Sequence, residues 1–204
     1  KTPRRQRQMC IRDSNSINEL KKLDSCHGVE IDLRTLNNEI ILHHDAFENG
    51  VLFSEWLSYF NHKFLILNVK EDGLESKIIN LLRKHKIDNY FFLDQPFPTL
   101  LKCINSNIKS ALRVSEYEWL NKKVLSLKPE YIWLDSFNFF NIENYDLDNL
   151  RNTGAKICLV SPELQNRIGE KAIEEIRYIK ADMSKNNLQL WGVCTKLPNV
   201  WRQC

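Results

Sequence analysis

The 204-residue sequence is defined first by what it lacks. Its six cysteines, Cys10, Cys26, Cys103, Cys158, Cys194 and Cys204, form no CxxC pair. That argues against the familiar zinc-site spacings and against a disulfide framework. Cys158 and Cys194 fall inside apolar runs, where a free cysteine behaves as a small hydrophobe. A reducing, cytoplasmic compartment is therefore expected. No 18-residue apolar stretch exists, so no membrane-spanning helix is expected. No apolar signal core follows the charged head, so no signal peptide is expected either. The body also lacks a net positive charge. Residues 1–13 hold Lys1, Arg4, Arg5, Arg7 and Arg12 against Asp13, a sum of +4 out of a total of +3, so everything after Asp13 carries −1. Such a body gives no nucleic-acid footprint. Internal repeats and low-complexity linkers are absent. One domain is expected over residues 14–204, behind a basic head, 1–13, that reads as disordered or foreign to the fold.

What is present is a regular alternation. Short apolar runs lie at 29–34, 39–44, 64–70, 90–94, 111–115, 131–135, 156–161 and 188–195. Most are continuous rather than alternating, as in FLILNV, YIWLD and KICLV, the pattern of strands buried on both faces. Helical periodicity fills the gaps at 16–23, 74–86, 99–105, 115–127 and 163–180; the last has Leu164, Ile168, Ala172, Ile176 and Ile179 at steps of three and four. Strands alternating with helices predict βαβ units and a parallel sheet. The loop 35–38, with two asparagines, is too short for a crossover helix and predicts a hairpin. The expected fold is α/β, a (βα)8 TIM-type barrel. Seven strand positions are clear. The first is missing or replaced, because its one candidate, residues 8–12, is poor strand material.

Barrel enzymes place their chemistry at the C-terminal ends of the strands. Those ends carry Glu30 and Asp32, then His43, His44 and Asp45, then Asn68 and Lys70, then Asp94, Arg113, Asp135, Ser161 and Thr195. Glu30 and Asp32 share one side of a strand and offer oxygen ligands to a hard cation; the alternative is a pair of surface carboxylates. His44 can serve as general acid or base, or as a structural histidine. Lys70 can hold a phosphate oxygen, or be simply solvated. His27, His62 and His85 read as surface residues, and Trp133, Trp191 and Trp201 as packing.

The order GVEIDLR, ILHHD, LNVKEDGLE, FFLD, RVSEYE, WLDSF, CLVSPELQ and GVCTKLP resembles the glycerophosphodiester phosphodiesterase family, over roughly residues 15 to 200, with NSINEL at the start of the first helix. The resemblance implies a metal pair in Glu30 and Asp32, with Asn68 at the position of a third ligand. It implies His44 as general acid or base and Lys70 as the group that neutralises phosphate. Arg12, Lys70, Arg113 and Asp135 would contact phosphate or substrate. The implied cofactor is Mg2+ or Ca2+, and the implied ligand is a small phosphodiester. Three departures stand out. The family's first strand carries His-Arg-Gly, whereas this chain has Cys10-Ile11-Arg12-Asp13 and no histidine before His27. Asn68 replaces an acidic ligand, and Lys196 stands where relatives carry an acid. The stretch RQMCIRDS at 6–13 also resembles translated sequencing-adapter sequence. A metal-dependent phosphodiesterase whose chain as written is inactive is one reading. A non-catalytic barrel that binds a phosphorylated ligand or a protein partner is the other. A barrel of unrelated phosphosugar chemistry fits the fold but not the order of motifs.

Overall fold

The structure, a computed structural model, describes residues 8–12 and 14–202. Residues 1–7 of the basic head, and Asp13, lie outside the described residues. The chain forms two compact units, one spanning Cys10–Ala111 and the other running from Leu112 and including Gln8 and Met9. Both mix α and β structure.

In chain order the first unit contains part of β1 (Gln8–Ile11), then α1 (Ile17–Lys22), β2 (Gly28–Leu36), β3 (Glu39–Leu42), β4 (Val51–Leu52), α2 (Phe53–Leu57), β5 (Phe64–Val69), α3 (Glu75–Lys84), β6 (Tyr90–Leu93) and α4 (Phe97–Asn105). β2, β5 and β6 pair in parallel, with Glu30 opposite Ile66 and Asp32 opposite Asn68. β2 is buried on both faces. Val29, Ile31 and Leu33 join Leu20, Phe53, Trp56, Ile78 and Leu82 in one core cluster with α1, α2 and α3. Alternation along the strand then turns Glu30 and Asp32 away from that cluster. Trp56 anchors the helical layer. It is fully buried, and its indole Nε1–H donates to the Ser14 carbonyl at 3.1 Å.

The hairpin expected at 35–38 is present. β2 and β3 pair antiparallel from Leu33–Leu42 to Leu36–Glu39. Asn37 and Asn38 turn the chain with φ of 50° and 63°. Two successive left-handed residues match the strand twist, and asparagine tolerates that region better than most side chains.

Of the two expectations for the first strand, missing or replaced, the first needs correction. Gln8–Ile11 is a strand, and Cys10 and Ile11 pair in parallel with Gly28 and Val29 of β2. The edge of β2 beside Gly28 and Val29 is therefore covered. A methionine-cysteine strand fits here because its neighbour has no side chain. A Cβ added at Gly28 would lie 2.7 Å from Cys10 Sγ and 3.1 Å from Phe64 Cβ. The position is thus filled, but with QMCI rather than His-Arg-Gly.

The second unit holds β7 (Ala111–Val114), α5 (Lys122–Leu125), β8 (Tyr131–Leu134), α6 (Leu147–Asn152), β9 (Lys156–Val160), α7 (Glu170–Lys185), β10 (Gly192–Thr195) and α8 (Pro198–Arg202). β8, β9 and β10 pair in parallel, and the Gln8 amide donates to the Trp191 carbonyl at 3.0 Å. Two helices are shorter than their periodicity predicts. Residues 115–121 form a turn in which Ser115 and Glu118 bond through backbone and side chain, leaving only α5 helical. The run from 163 breaks at Asn166 and Gly169, both at positive φ, so α7 starts at Glu170 and Ile168 is left 77% exposed. Trp133 and Trp201 pack in the interior as expected, but His27 and His62 are buried rather than exposed.

The close Cys10–Gly28 approach predicts the effect of crowding it. Gly28→Ala should lower stability by about 1–3 kcal/mol, the usual range for overpacking. Because the neighbours touch, combining it with Cys10→Ala should show a non-additive coupling of about 0.5–3 kcal/mol. Urea denaturation of the two single variants and the double variant checks this; strict additivity would mean that the two residues do not meet.

Candidate active site

The middle of β2 and the end of β5 gather four polar side chains in one place. Glu30 is 1% exposed, Asp32 0% and Asn68 2%. Asn68 Nδ2 donates to Glu30 Oε1 at 3.0 Å. Lys70, just past β5, holds its Nζ 3.1 Å from Asp32 Oδ1. The alternative of two surface carboxylates is thereby removed. Carboxylates this deep must be paired or hydrogen-bonded, because desolvating a lone charge is prohibitively unfavourable. Lys70 is not simply solvated, since it lies mostly buried against Asp32.

Asn15 supplies a partner that the motif comparison did not assign to the site. Its Oδ1 accepts the Asp32 backbone amide at 2.8 Å, and its Nδ2 donates to Asp32 Oδ2 at 2.9 Å. One side chain thus fixes both backbone and carboxylate of the same residue. Its own position is set by α1, whose N-cap is the next residue, with a full capping box between Ser16 and Glu19. The signal was present in NSINEL: an asparagine immediately before a capping box.

These residues suit a hard cation. The donors are all oxygens, which magnesium and calcium prefer. Asp32 Oδ1 and Asn68 Oδ1 are buried without a hydrogen bond; Lys70 meets the former as an ion pair without hydrogen-bond alignment. Two buried oxygens with unused lone pairs, next to the Glu30 carboxylate, make a donor set that fits a divalent ion.

His44 stands on the turn after β3. The His43 amide donates to the Asp32 carbonyl at 3.2 Å, and Arg34 Nε donates to the His44 carbonyl at 3.0 Å. Both bonds seat this turn over the end of β2. The His44 ring is exposed, with Nδ1 2.9 Å from Asp45 Oδ1. A carboxylate can only accept, so Nδ1 carries the proton, and in the neutral ring Nε2 is the atom with the lone pair. That hydrogen bond is also the main reason the Asp45 carboxyl sits below its ordinary value of 3.8. Glu71, next to Lys70, turns away to bond Thr35 and approach Arg34. Arg12 follows β1 directly and is half-buried.

Arg113 and Asp135 belong to the second unit. Arg113 NH1 lies 3.2 Å from Asp135 Oδ2, and Asp135 Oδ1 accepts from Gln165 Nε2 at 2.8 Å and from the Ser136 amide at 2.9 Å. Asp135 is thus held as a buried partner of Arg113.

No family model and no curated protein matches the sequence. Solved structures do. A glycerophosphodiester phosphodiesterase from Parabacteroides distasonis is similar with a TM-score of 0.64 and 11% identity, covering 97% of this chain and 96% of that one. The chain has the fold of these phosphodiesterases. One from Agrobacterium tumefaciens gives a TM-score of 0.60 at 9% identity, with 98% and 100% covered. A glycerophosphoryl diester phosphodiesterase from P. distasonis gives 0.64 at 11%, with 92% and 82% covered. The central sheet of this chain matches theirs. Among the described residues, no helix is long and apolar enough to cross a membrane.

Two outcomes are expected of this geometry. Asn15→Ala leaves a buried amide and carboxylate oxygen without their partner, so it should cost about 1–3 kcal/mol in a denaturant melt; a loss below a few tenths would mean Asn15 does not clamp Asp32. The Asp45 carboxyl, followed by NMR, should titrate below 3.8. Because that pKa is depressed, the His44–Asp45 contact is present above the ordinary aspartate range and lost as pH falls through the lowered value. His44→Ala should return the Asp45 titration towards the ordinary value.

Proposed function

We propose that this chain derives from a metal-dependent phosphodiester hydrolase acting on a glycerophosphodiester or a close analogue. The observation that carries the reading is the buried set Glu30, Asp32, Asn68 and Lys70, gathered at β2 and β5 in a fold shared with known phosphodiesterases. The fold reading extends to a (βα)8 TIM-type barrel with its first strand replaced, as one domain over 14–204. Free thiols fit the proposed cytoplasmic setting.

Glu30, Asp32 and Asn68 would hold Mg2+ or Ca2+, which when bound supplies charge stabilisation to a phosphoryl oxygen. Lys70 offers an ammonium to the same phosphate, and Asp32 keeps that ammonium in place. His44 moves a proton through Nε2, with Asp45 holding the tautomer. Arg12, at the end of β1, is the proposed cation for the rest of the substrate. Neutral Asn68 at the place of an acidic ligand should weaken cation affinity.

A second reading is favoured by one observation. The first strand position is occupied by QMCI, which brings no histidine. A chain so built would bind a phosphorylated ligand without turning it over. The adapter-like stretch at 6–13 accounts for this if the head is foreign to the native gene.

An assay on glycerophosphodiesters with added Mg2+ or Ca2+ separates the readings. The chain as written should turn over slowly. Replacing residues 9–13 by a strand bearing His-Arg-Gly should raise kcat by at least about a hundredfold, the low end for one acid–base group. In that background His44→Ala should lower kcat by about 10²–10⁴-fold, and Asp32→Asn or chelation of the cation should abolish turnover. A restored chain that stays inert, yet binds glycerophosphate, would support the binding module.

A further inference from the structure

A second cluster of chemistry-bearing side chains lies just before the start of β2. The turn Asp24-Ser25-Cys26-His27 immediately precedes Gly28. Asp24 Oδ1 accepts the Cys26 amide at 2.8 Å, and the His27 amide donates to the Asp24 carbonyl at 3.0 Å. This folds three ligand-bearing residues onto one small turn. Cys26 Sγ is 3.9 Å from His27 Nδ1. A carboxylate oxygen of Asp24, the Cys26 sulfur and a ring nitrogen of His27 all lie within 4.8 Å of one another. With bond lengths of roughly 2.0–2.3 Å, tetrahedral zinc holds its ligand atoms about 3.3–3.8 Å apart. Small side-chain rotations close the difference.

An independent observation comes from a distant residue. His62, in the loop before β5, is 9% exposed, and both of its ring nitrogens are buried with no hydrogen-bond partner. Buried imidazoles ordinarily have at least one partner, and an orphan carries a desolvation cost. His27 and Asp24 act on the ring electrostatically, and the Leu23 backbone lies close to it. The backbone holds the two segments together. The Lys63 amide donates to the His27 carbonyl at 3.2 Å, and Gly28 is in register with Phe64.

We propose that Asp24, Cys26 and His27, with His62 as the fourth side chain, form a binding site for a thiophilic divalent cation, zinc by its chemistry. A thiol, an imidazole and one carboxylate select a borderline ion, whereas the all-oxygen set of Glu30, Asp32 and Asn68 selects a hard one. The two sites are separate. Asp32 lies four residues beyond Gly28 along β2, roughly 13 Å away at strand rise. Burial lowers the His62 pKa and so favours the neutral ring that a metal requires. A bound ion would fasten the turn before β2 to the loop before β5. It would satisfy the His62 ring that the protein leaves without a partner.

The test uses the untagged full chain, stripped of metal and kept reduced, with excess Mg2+ present. Zinc is titrated against a chromogenic chelator, and Co2+ is added as a spectroscopic probe. The expected result is one tight equivalent of zinc and a near-ultraviolet thiolate-to-cobalt band. Cys26→Ser should abolish the band. Cys26→Ser and His62→Gln should each weaken zinc binding by at least about tenfold. Asp32→Asn should leave both readouts unchanged. Absence of the cobalt band in the parent chain, or unchanged zinc affinity in both Cys26→Ser and His62→Gln, overturns the proposal. Circular dichroism checks folding; if His62→Gln does not fold, Cys26→Ser at its half-buried position decides the matter by itself.

Discussion

The carboxylate of Asp32 is the constraint around which the first unit is organised. It sits in the middle of a strand at 0% exposure, where an uncompensated charge would unfold a domain of ordinary stability. Everything near it answers that requirement. Asn15 reaches across 17 residues of sequence to bond its amide and one oxygen, Lys70 supplies a positive charge, and the His43 amide caps its carbonyl. The start of α1, the end of β5 and the turn after β3 are therefore drawn to one point by one residue. The hydrophobic layer behind β2 makes this arrangement rigid. Val29, Ile31 and Leu33 lock the strand against α1, α2 and α3, so the alternate residues cannot turn away from each other.

Much of this was legible from residue types and spacing. Continuous apolar runs gave β2, β5, β8 and β9 because strands buried on both faces leave no room for polar alternation. The asparagine pair gave the hairpin because only a tight turn needs two left-handed residues in succession. Glu30 with Asp32, and Asn68 with Lys70, could be placed on shared sides from the two-residue period alone. What escaped the sequence depended on long-range partners. Residues 8–11 look unsuited to a strand until Gly28 is seen opposite Cys10. The helix read from residue 163 onwards followed an apolar stripe that Asn166 and Gly169 interrupt through backbone conformation, a preference that side-chain periodicity does not register. His27 and His62 looked like surface residues because nothing local marks a buried histidine; the register of β2 with β5 brings their segments together.

The surroundings of β2 also show how one scaffold can present contrasting chemistry. In the middle of β2 the donors are oxygens, buried and braced by amides and an ammonium. Just before its start they are sulfur, nitrogen and a single carboxylate on a tight turn.

The double role of Asn15 has a bearing on how such a chain would decay. The residue that clamps Asp32 also leads directly into α1, so the acid pair is tied to the architecture as well as to any reaction. A lineage that ceased to need catalysis would still be held to these residues by folding alone. Only groups at the surface, such as the exposed His44 ring held by Asp45 alone, would be free to drift and so to record whether selection for turnover continues.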